Sequence, residues 1–432
     1  MGLLTDREQY PLGDLDPARS RHNWARSAVT VVDGRVITGW GDGTVVSSGG
    51  DGRVTAYRPD ATTAADPSDD DSSVSRTGYV VSLAAGEDTL VAGRRGPEGS
   101  VSAFSSTTGD RQWHYAAAED VGRATDESLL SQPYVVDVAV ADGTTVAAVR
   151  RSDRDGSDRD WSSVVLGIDP DGHVRWRYHA RGSPIALDVD AGRVAVAYNR
   201  CTEHHVHGLV VLDLDSGDPV MFWDPGTEGD RRVGDVAFVD GGLAVASHGD
   251  NHGYLLDDTG REQWRVDLAS ERTISGETVY AYPTHVVDAD GVAVFVTGNT
   301  FAASTRDPTA RHPREHTVLA VQDGEVAWTH EIGGFARGVS ASGSLVAVPS
   351  AQHFRERTAD THAVGLFDAR RGHRGSRSIP GIASAVALAE DTLAVVEEPV
   401  EYHDEGVTHG AHRLHTWQVD GKREGDRESE TR

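Results

Sequence analysis

The chain has almost no lysine, cysteine or methionine. Lys422 is the single lysine among 41 basic residues, Cys201 is the single cysteine, and 2 methionines serve 432 residues. One cysteine excludes an intrachain disulfide and any multi-cysteine metal site. No apolar run approaches the roughly 20 residues that a membrane-crossing helix needs. Met1-Gly-Leu-Leu-Thr-Asp6 opens without the basic and apolar regions of a secretory signal. The expectation is a cytoplasmic protein with no membrane insertion.

Positive charge is scarce as well. Against 68 acidic residues the 41 basic ones leave a net charge of −27 and a pI near 5.0. That balance offers no basic stripe for phosphates and argues against nucleic-acid binding. An Asp-rich, Lys-poor surface retains hydration in multimolar salt, and a GC-rich genome favours Arg over Lys. Together they point to a halophilic archaeon, whose acidity reports its solvent and not a cationic partner.

What the chain does have is a repeat of about 50 residues. Each unit reads apolar strand, tight turn, apolar strand, polar loop, then a hairpin closing on Gly-x-x-x-Trp. The closing element is Gly109-Asp-Arg-Gln-Trp113, Gly172-His-Val-Arg-Trp176, Gly260-Arg-Glu-Gln-Trp264 and Gly324-Glu-Val-Ala-Trp328. Four strands per repeat is the mark of a propeller blade. Inner strand pairs run from Ala28–Val32 with Arg35–Gly39 to Ser384–Leu388 with Thr392–Val396, eight units in all. The fold class is therefore all-β: one eight-bladed β-propeller over residues 1–421, with 422–432 a disordered charged tail. The Asp-rich Pro59–Arg76 stretch reads as a disordered linker. The eighth unit lacks a fourth strand, and Asp6-Arg-Glu-Gln-Tyr10-Pro-Leu12 resembles Gly260-Arg-Glu-Gln-Trp-Arg-Val266. Residues 6–12 are thus expected to close the ring, with Tyr10 in the tryptophan position.

An Asp precedes the Gly of the closing hairpin, as in Asp257-Asp-Thr-Gly-Arg-Glu-Gln-Trp264 and Asp213-Leu-Asp-Ser-Gly217. The pattern resembles the pyrroloquinoline-quinone (PQQ) type propeller repeat over almost the whole chain, and eight blades is that superfamily's usual number. The resemblance implies that Trp113, Trp176, Trp264 and Trp328 dock on neighbouring blades. The fourth unit has Trp223 two residues late and the seventh has Ser376 in the tryptophan place, so docking is in question there. Relatives include quinone-dependent dehydrogenases and the outer-membrane assembly lipoprotein that scaffolds β-barrel insertion. The dehydrogenases hold quinone against a vicinal disulfide and a calcium ion; one cysteine and no matching carboxylate-amide set imply no cofactor here.

Function is expected on the face carrying the long loops between second and third strands. His207, His252, His316, His362 and His412 each stand just before a third strand. Third strands lie far from the axis, so these imidazoles are read as loop pins and not as one metal site. A local metal at His204, His205 and His207 is the alternative. Nearest the axis, residues following the second strands form the candidate binding set: Trp40, Arg94, Arg150, Asn199, Arg200, His248, Asn299 and His353, beside Arg95, Arg151, Gln352 and Glu397. They suit an acidic segment of a partner protein or a small anion; alternatively the arginines only pair with loop carboxylates. The expected function is a monomeric, non-catalytic interaction scaffold. A ligand-binding sensor is the runner-up and a propeller enzyme third.

Overall fold

Most repeats fold into an antiparallel meander through turns that supply positive φ where a two-residue hairpin requires it, while the second turns through residues 86–88 without it. Asp33 and Gly34 (φ 50° and 68°) join Ala28–Val32 to Arg35–Gly39, and Asp142 and Gly143 (49° and 74°) join Tyr134–Ala141 to Thr144–Asp155. The structure is a computed structural model that describes residues 4–18, 26–41, 45–48, 54–57, 78–124, 131–155, 158–202, 207–302, 304–305, 308–402 and 406–419. The Pro59–Arg76 linker, His204, His205 and the 422–432 tail lie outside the described residues.

The sheets follow the chain in order, strands one to four running from inside outward. The first is Ala28–Val32, Arg35–Gly39, Val45–Ser48 and Val54–Tyr57. The second and third are joined at their inner ends, where Tyr134 pairs with Arg95. The sixth carries an extra edge strand, Arg272–Ile274, on the long hairpin Glu277–Asp288 with Ala293–Ala302. In the last sheet Leu4–Pro11 lies antiparallel to Arg413–Val419, with Tyr10 opposite Leu414. Successive innermost strands touch, and Ala28–Val32 also touches Ile382–Ala389 of the last sheet. This is a β-propeller. Second strands such as Gly242–Ser247 are buried throughout, as sheets packed on both faces require.

The Gly-x-x-x-Trp element works between sheets. The ring of Trp113 lies where a Cβ on Gly172 would fall, 2.5 Å from its own Cβ, and Trp176 covers Gly217 in the same way. Trp264 covers Gly324, and Trp328 packs more loosely at Gly372. Trp176 Nε1 also donates to Leu214 O and Trp328 Nε1 to Ala369 O, both at 2.8 Å. Each tryptophan thus seats on the glycine of the following unit. In the fourth unit Met221, not Trp223, holds the docking register opposite Val211, and its sulfur reaches the Gly260 position. An unbranched thioether fills the socket that a ring fills elsewhere. Trp223 instead meets Tyr254 edge-on. Ser376 of the seventh unit stands opposite Gly365 and bonds His373 Nε2 at 2.8 Å.

Nearer the axis, three half-buried aspartates tie adjacent innermost strands. Asp137 accepts from Leu187 N at 3.2 Å, Asp188 from Phe238 N at 2.7 Å and Asp235 from Val286 N at 3.0 Å. Burial raises Asp137 to about 7 and Asp188 to about 6; backbone donors oppose the rise and the Asp235 charge adds to it. Between the ordinary aspartate value, roughly 3.9, and pH about 7 the native state therefore binds more protons than the unfolded one. Stability contributed by these groups is expected to fall as pH rises through that window. Urea melts from acid to neutral pH check this: Asp137→Asn should flatten the decline, and an unchanged slope would refute it.

Candidate functional site at the propeller mouth

Strand alternation decides which of two consecutive arginines reaches the mouth. Arg94, expected there, turns into its own sheet: it is fully buried, donates to Ser102 Oγ at 2.9 Å and lies 6.0 Å over Phe104. Its neighbour Arg95 faces across to the third sheet, 4.9 Å over the ring of Tyr134. Arg150 meets that same ring at 5.2 Å and Trp161 at 5.4 Å, and donates to Ser183 Oγ. Burial lowers Arg95 to about 10; the phenols of Tyr134 and Tyr79 oppose this and the Arg150 charge adds to it. Arg337, on the linker entering the seventh sheet, is likewise brought to about 10 by burial. Glu398 and Tyr134 hold its proton and Arg26 repels it. Glu398 itself binds Arg26 at 2.7 Å and Ser27 Oγ at 2.8 Å.

A second arginine-tyrosine station lies between the fourth and sixth sheets. Arg231 sits 4.5 Å over Tyr282, and its backbone bridges to Arg200. Arg200 pairs with Asp230. Asn199 is buried and donates from Nδ2 to His248 Nδ1 at 2.7 Å, while the His248 ring tilts against Tyr282 at 4.7 Å. Burial holds His248 neutral, at about 3, with Arg231 pressing the same way. Tyr280 and the partly exposed Phe301 extend this aromatic wall along the long hairpin.

The other expected mouth residues go elsewhere. Trp40 meets His412 edge-on at 5.6 Å, a contact between the first and last sheets. Asn299 Oδ1 accepts from His316 Nε2 at 2.9 Å, and His316 packs edge-on against His353 at 4.8 Å. Glu315, His316 and His353 are buried, with one ligand-type atom each inside 4.8 Å of the others. His353 Nδ1 accepts the backbone N–H of Arg355 and of Glu356, each at 3.2 Å, and its Nε2 lies 3.5 Å from Glu315. Arg311 contacts the same nitrogen and pairs with Glu356 at 3.0 Å. A cation bound at this nitrogen would have to displace the Arg311 guanidinium.

The histidine register is not a set of blade-internal pins alone. His252 Nδ1 donates to Asp250 O at 2.7 Å and His207 packs on Phe222 at 4.8 Å, both within their sheets. His362 instead shares a hydrogen bond with Tyr402 at 2.5 Å, across the boundary between the seventh and eighth units. His316 and His412 cross boundaries too.

Sequence reasoning missed Tyr79, Tyr134, Tyr282, Arg231 and Arg337. In the structure each tyrosine stands one residue before an innermost-strand bulge, at Val80/Ser82, Val135/Asp137 and Pro283/His285. Arg231 and Arg337 lie on linkers, where no period marks them.

A PQQ-repeat family model, described as outer membrane protein assembly factor BamB, matches residues 161–411. A search of curated proteins finds no match. Among solved structures, BamB from Moraxella catarrhalis is 15% identical with a TM-score of 0.57, covering 96% of this chain and 99% of its own. The quinohemoprotein alcohol dehydrogenase ADHIIG from Pseudomonas putida HK5 is 13% identical with a TM-score of 0.60, covering 98% and 77%. A europium-containing methanol dehydrogenase is 10% identical with a TM-score of 0.59, covering 95% and 93%. Identities this low speak for the fold alone. The family match spans more than half of the chain and includes the socket glycines Gly172, Gly217, Gly260, Gly324 and Gly372: the chain belongs to the PQQ-repeat propeller family described as outer membrane protein assembly factor BamB.

Proposed function

We propose that the chain is a single eight-bladed propeller, closed by its N-terminal strand, that serves as a monomeric, non-catalytic interaction scaffold in the cytoplasm. Its long-loop face receives an acidic segment of a partner protein. The observation that carries this reading is the pair of arginine-tyrosine stations, Arg95 and Arg150 at Tyr134, and Arg200 and Arg231 at Tyr282. On a chain of net charge −27 these are local reversals of sign. Guanidinium forks match carboxylates, and aromatic rings add contact area at low entropic cost. The mouth is rich in donors and has a neutral, buried His248 in place of an exposed base, which favours binding over catalysis. An assembly-factor description for the family agrees with a scaffold role.

The test is capture of an Asp/Glu-rich peptide, alongside proteins recovered from the native cytoplasmic fraction, in a KCl series. Arg150→Ala with Arg200→Ala is expected to weaken peptide capture about tenfold or more, the size of one lost charge-assisted pair. The melting temperature should stay nearly unchanged, and it should rise with KCl if the acidic surface reflects a halophile's solvent. Capture that survives the double change but is lost on removing residues 311–315 would move the site to the outer rim and overturn the mouth assignment.

A further inference from the structure

We infer that the outer strand of the seventh sheet, Gly372–Ser378, is a docking edge for an extended acidic segment of a partner protein, which joins the sheet as a further strand. The surface lies on the outer rim and shares no residue with the mouth, so it does not depend on the function proposed above. Its first support is sequence. Four arginines and a histidine stand between Arg370 and Arg377, and no acid occurs from Ala369 to Ala389. On a chain of net charge −27 this is a local reversal of sign. The second support is the edge itself. The strand order of the sheet ends at Gly372–Ser378, and among the described residues no strand pairs with its outer side. His373, Ser376 and Ser378 are exposed, as are Arg370 and Arg371 on the turn that leads in. A row of unpaired backbone donors and acceptors is a template for another strand.

The third support is what the arginines do. Arg370 pairs with Asp290 at 3.6 Å and donates to its carbonyl at 2.9 Å. Arg377 turns toward the N-terminal strand and donates to Leu4 O at 2.6 Å. Among the described residues Arg371 and Arg374 make no side-chain hydrogen bond or ion pair. Asp368, the neighbouring acid in sequence, is engaged by the turn: its Oδ1 accepts from Arg370 N at 3.0 Å and Arg371 N at 2.9 Å. Across the seam His373 stacks on His330 at 4.1 Å, and Glu331 is within electrostatic reach of His330. A guanidinium fork matches a carboxylate, so a strand with acids at alternate positions meets Arg371 and Arg374 in kind. Two copies of this arginine-rich edge repel one another, which leaves a strand of opposite charge as the occupant that fits.

The flank of this strand is also open where other sheets are plugged. Trp264 and Trp328 stand at the first pair beyond the bulge of their outer strands, opposite Leu255 and Ala320. In the seventh sheet that place belongs to Gly375, opposite Leu366. Beyond its chain neighbours, nothing lies within 4 Å of where a Cβ on Gly375 would fall. The outer strand Val174–Ala180 of the third sheet makes the contrast: it carries arginines too, but Arg177 is paired with Asp120 at 2.9 Å and Trp176 fills its docking place.

The experiment measures, by fluorescence anisotropy, binding of a labelled peptide of about eight alternating Glu and Val residues to the full-length protein. It uses the lowest KCl concentration at which the protein keeps its full melting temperature, with and without Arg150→Ala and Arg200→Ala to remove the mouth's share. Arg371→Gln with Arg374→Gln is expected to weaken the remaining binding about fivefold or more, the size of two exposed ion pairs, with melting unchanged. Arg175→Gln on the third sheet should leave it intact. Arg371→Glu with Arg374→Glu should reject the Glu-Val peptide and take up a Lys-Val one. A fully N-methylated Glu-Val peptide, which cannot donate to a strand edge, should bind roughly tenfold more weakly. Binding that survives Arg371→Gln with Arg374→Gln in a normally melting variant overturns the inference, as does equal binding of the N-methylated peptide. A dimer in sedimentation that the same double change abolishes would give the edge to a second copy and overturn it as well. Capture at the mouth alone sinks this inference and leaves the scaffold reading standing; capture at the edge alone does the reverse.

Discussion

Replacing Trp176 by alanine is expected to cost about 3–5 kcal/mol of stability, the range for deleting a large buried aromatic. The ring is 7% exposed, donates its indole N–H to Leu214 O at 2.8 Å, and lies on Gly217 of the next unit. The reciprocal change, Gly217→Ala, should be nearly as damaging. Its Cβ would fall 2.5 Å from a ring carbon, at a residue whose φ is +73°. A side chain at such a φ costs roughly 1–2 kcal/mol even in open space. The double variant makes the argument strict. Once the ring is gone the new methyl has room, so only the backbone cost should remain and the two losses should be strongly sub-additive. Denaturant melts of the two single variants and the double one measure this directly. Simple additivity would mean that ring and glycine are not in contact and would refute the socket.

Removing residues 1–12 is the second large effect, on the order of 5 kcal/mol from lost apolar burial and an unpaired strand edge. Leu4 and Leu12 are 5% and 6% exposed, and they pack with different partners: Leu4 with Trp417 and Val419, Leu12 with Val36 and Leu414. Arg377 also donates to Leu4 O at 2.6 Å. Without the segment, Arg413–Val419 presents an open edge, so the truncated protein should both melt early and associate with rising concentration. Because a truncation can fail for trivial reasons, Leu4→Asp with Leu12→Asp provides a second measurement on the full-length chain. An unchanged melting temperature in both variants would rule out the N-terminal strand as the closing element.

The strand meanders and the N-terminal strand's place were legible because both are written in local patterns that no tertiary context overrides. Most of the turns spell out their positive φ as Asp-Gly or another residue before Gly, and Leu4–Pro11 pairs beside Arg413–Val419. The bulge between Thr5 and Glu8 nevertheless leaves Tyr10 two residues past the register that Trp264 holds. Site residues were less legible. Whether Arg94 or Arg95 reaches the mouth depends on a single-residue register, and the Val80/Ser82 bulge on the partner strand shifts that register. Composition cannot reveal a bulge. Met221 was overlooked because the motif was read by residue type, whereas the socket asks only for a side chain long enough to reach Gly260. Arg337 came from a linker whose path is fixed by the ring and not by its own sequence.

Socket and plug belong to the same hairpin: Gly172 receives Trp113, and four residues on Trp176 departs for Gly217. A segment copied in frame would therefore carry a receptor for whatever precedes it and an insert for whatever follows. Its two ends match any neighbour built to the same rule. Growth of such a chain by tandem duplication needs no new interface to evolve, because the joints are standardised before the copy is made. The Met221 joint shows that such a junction still closes when a thioether replaces the ring.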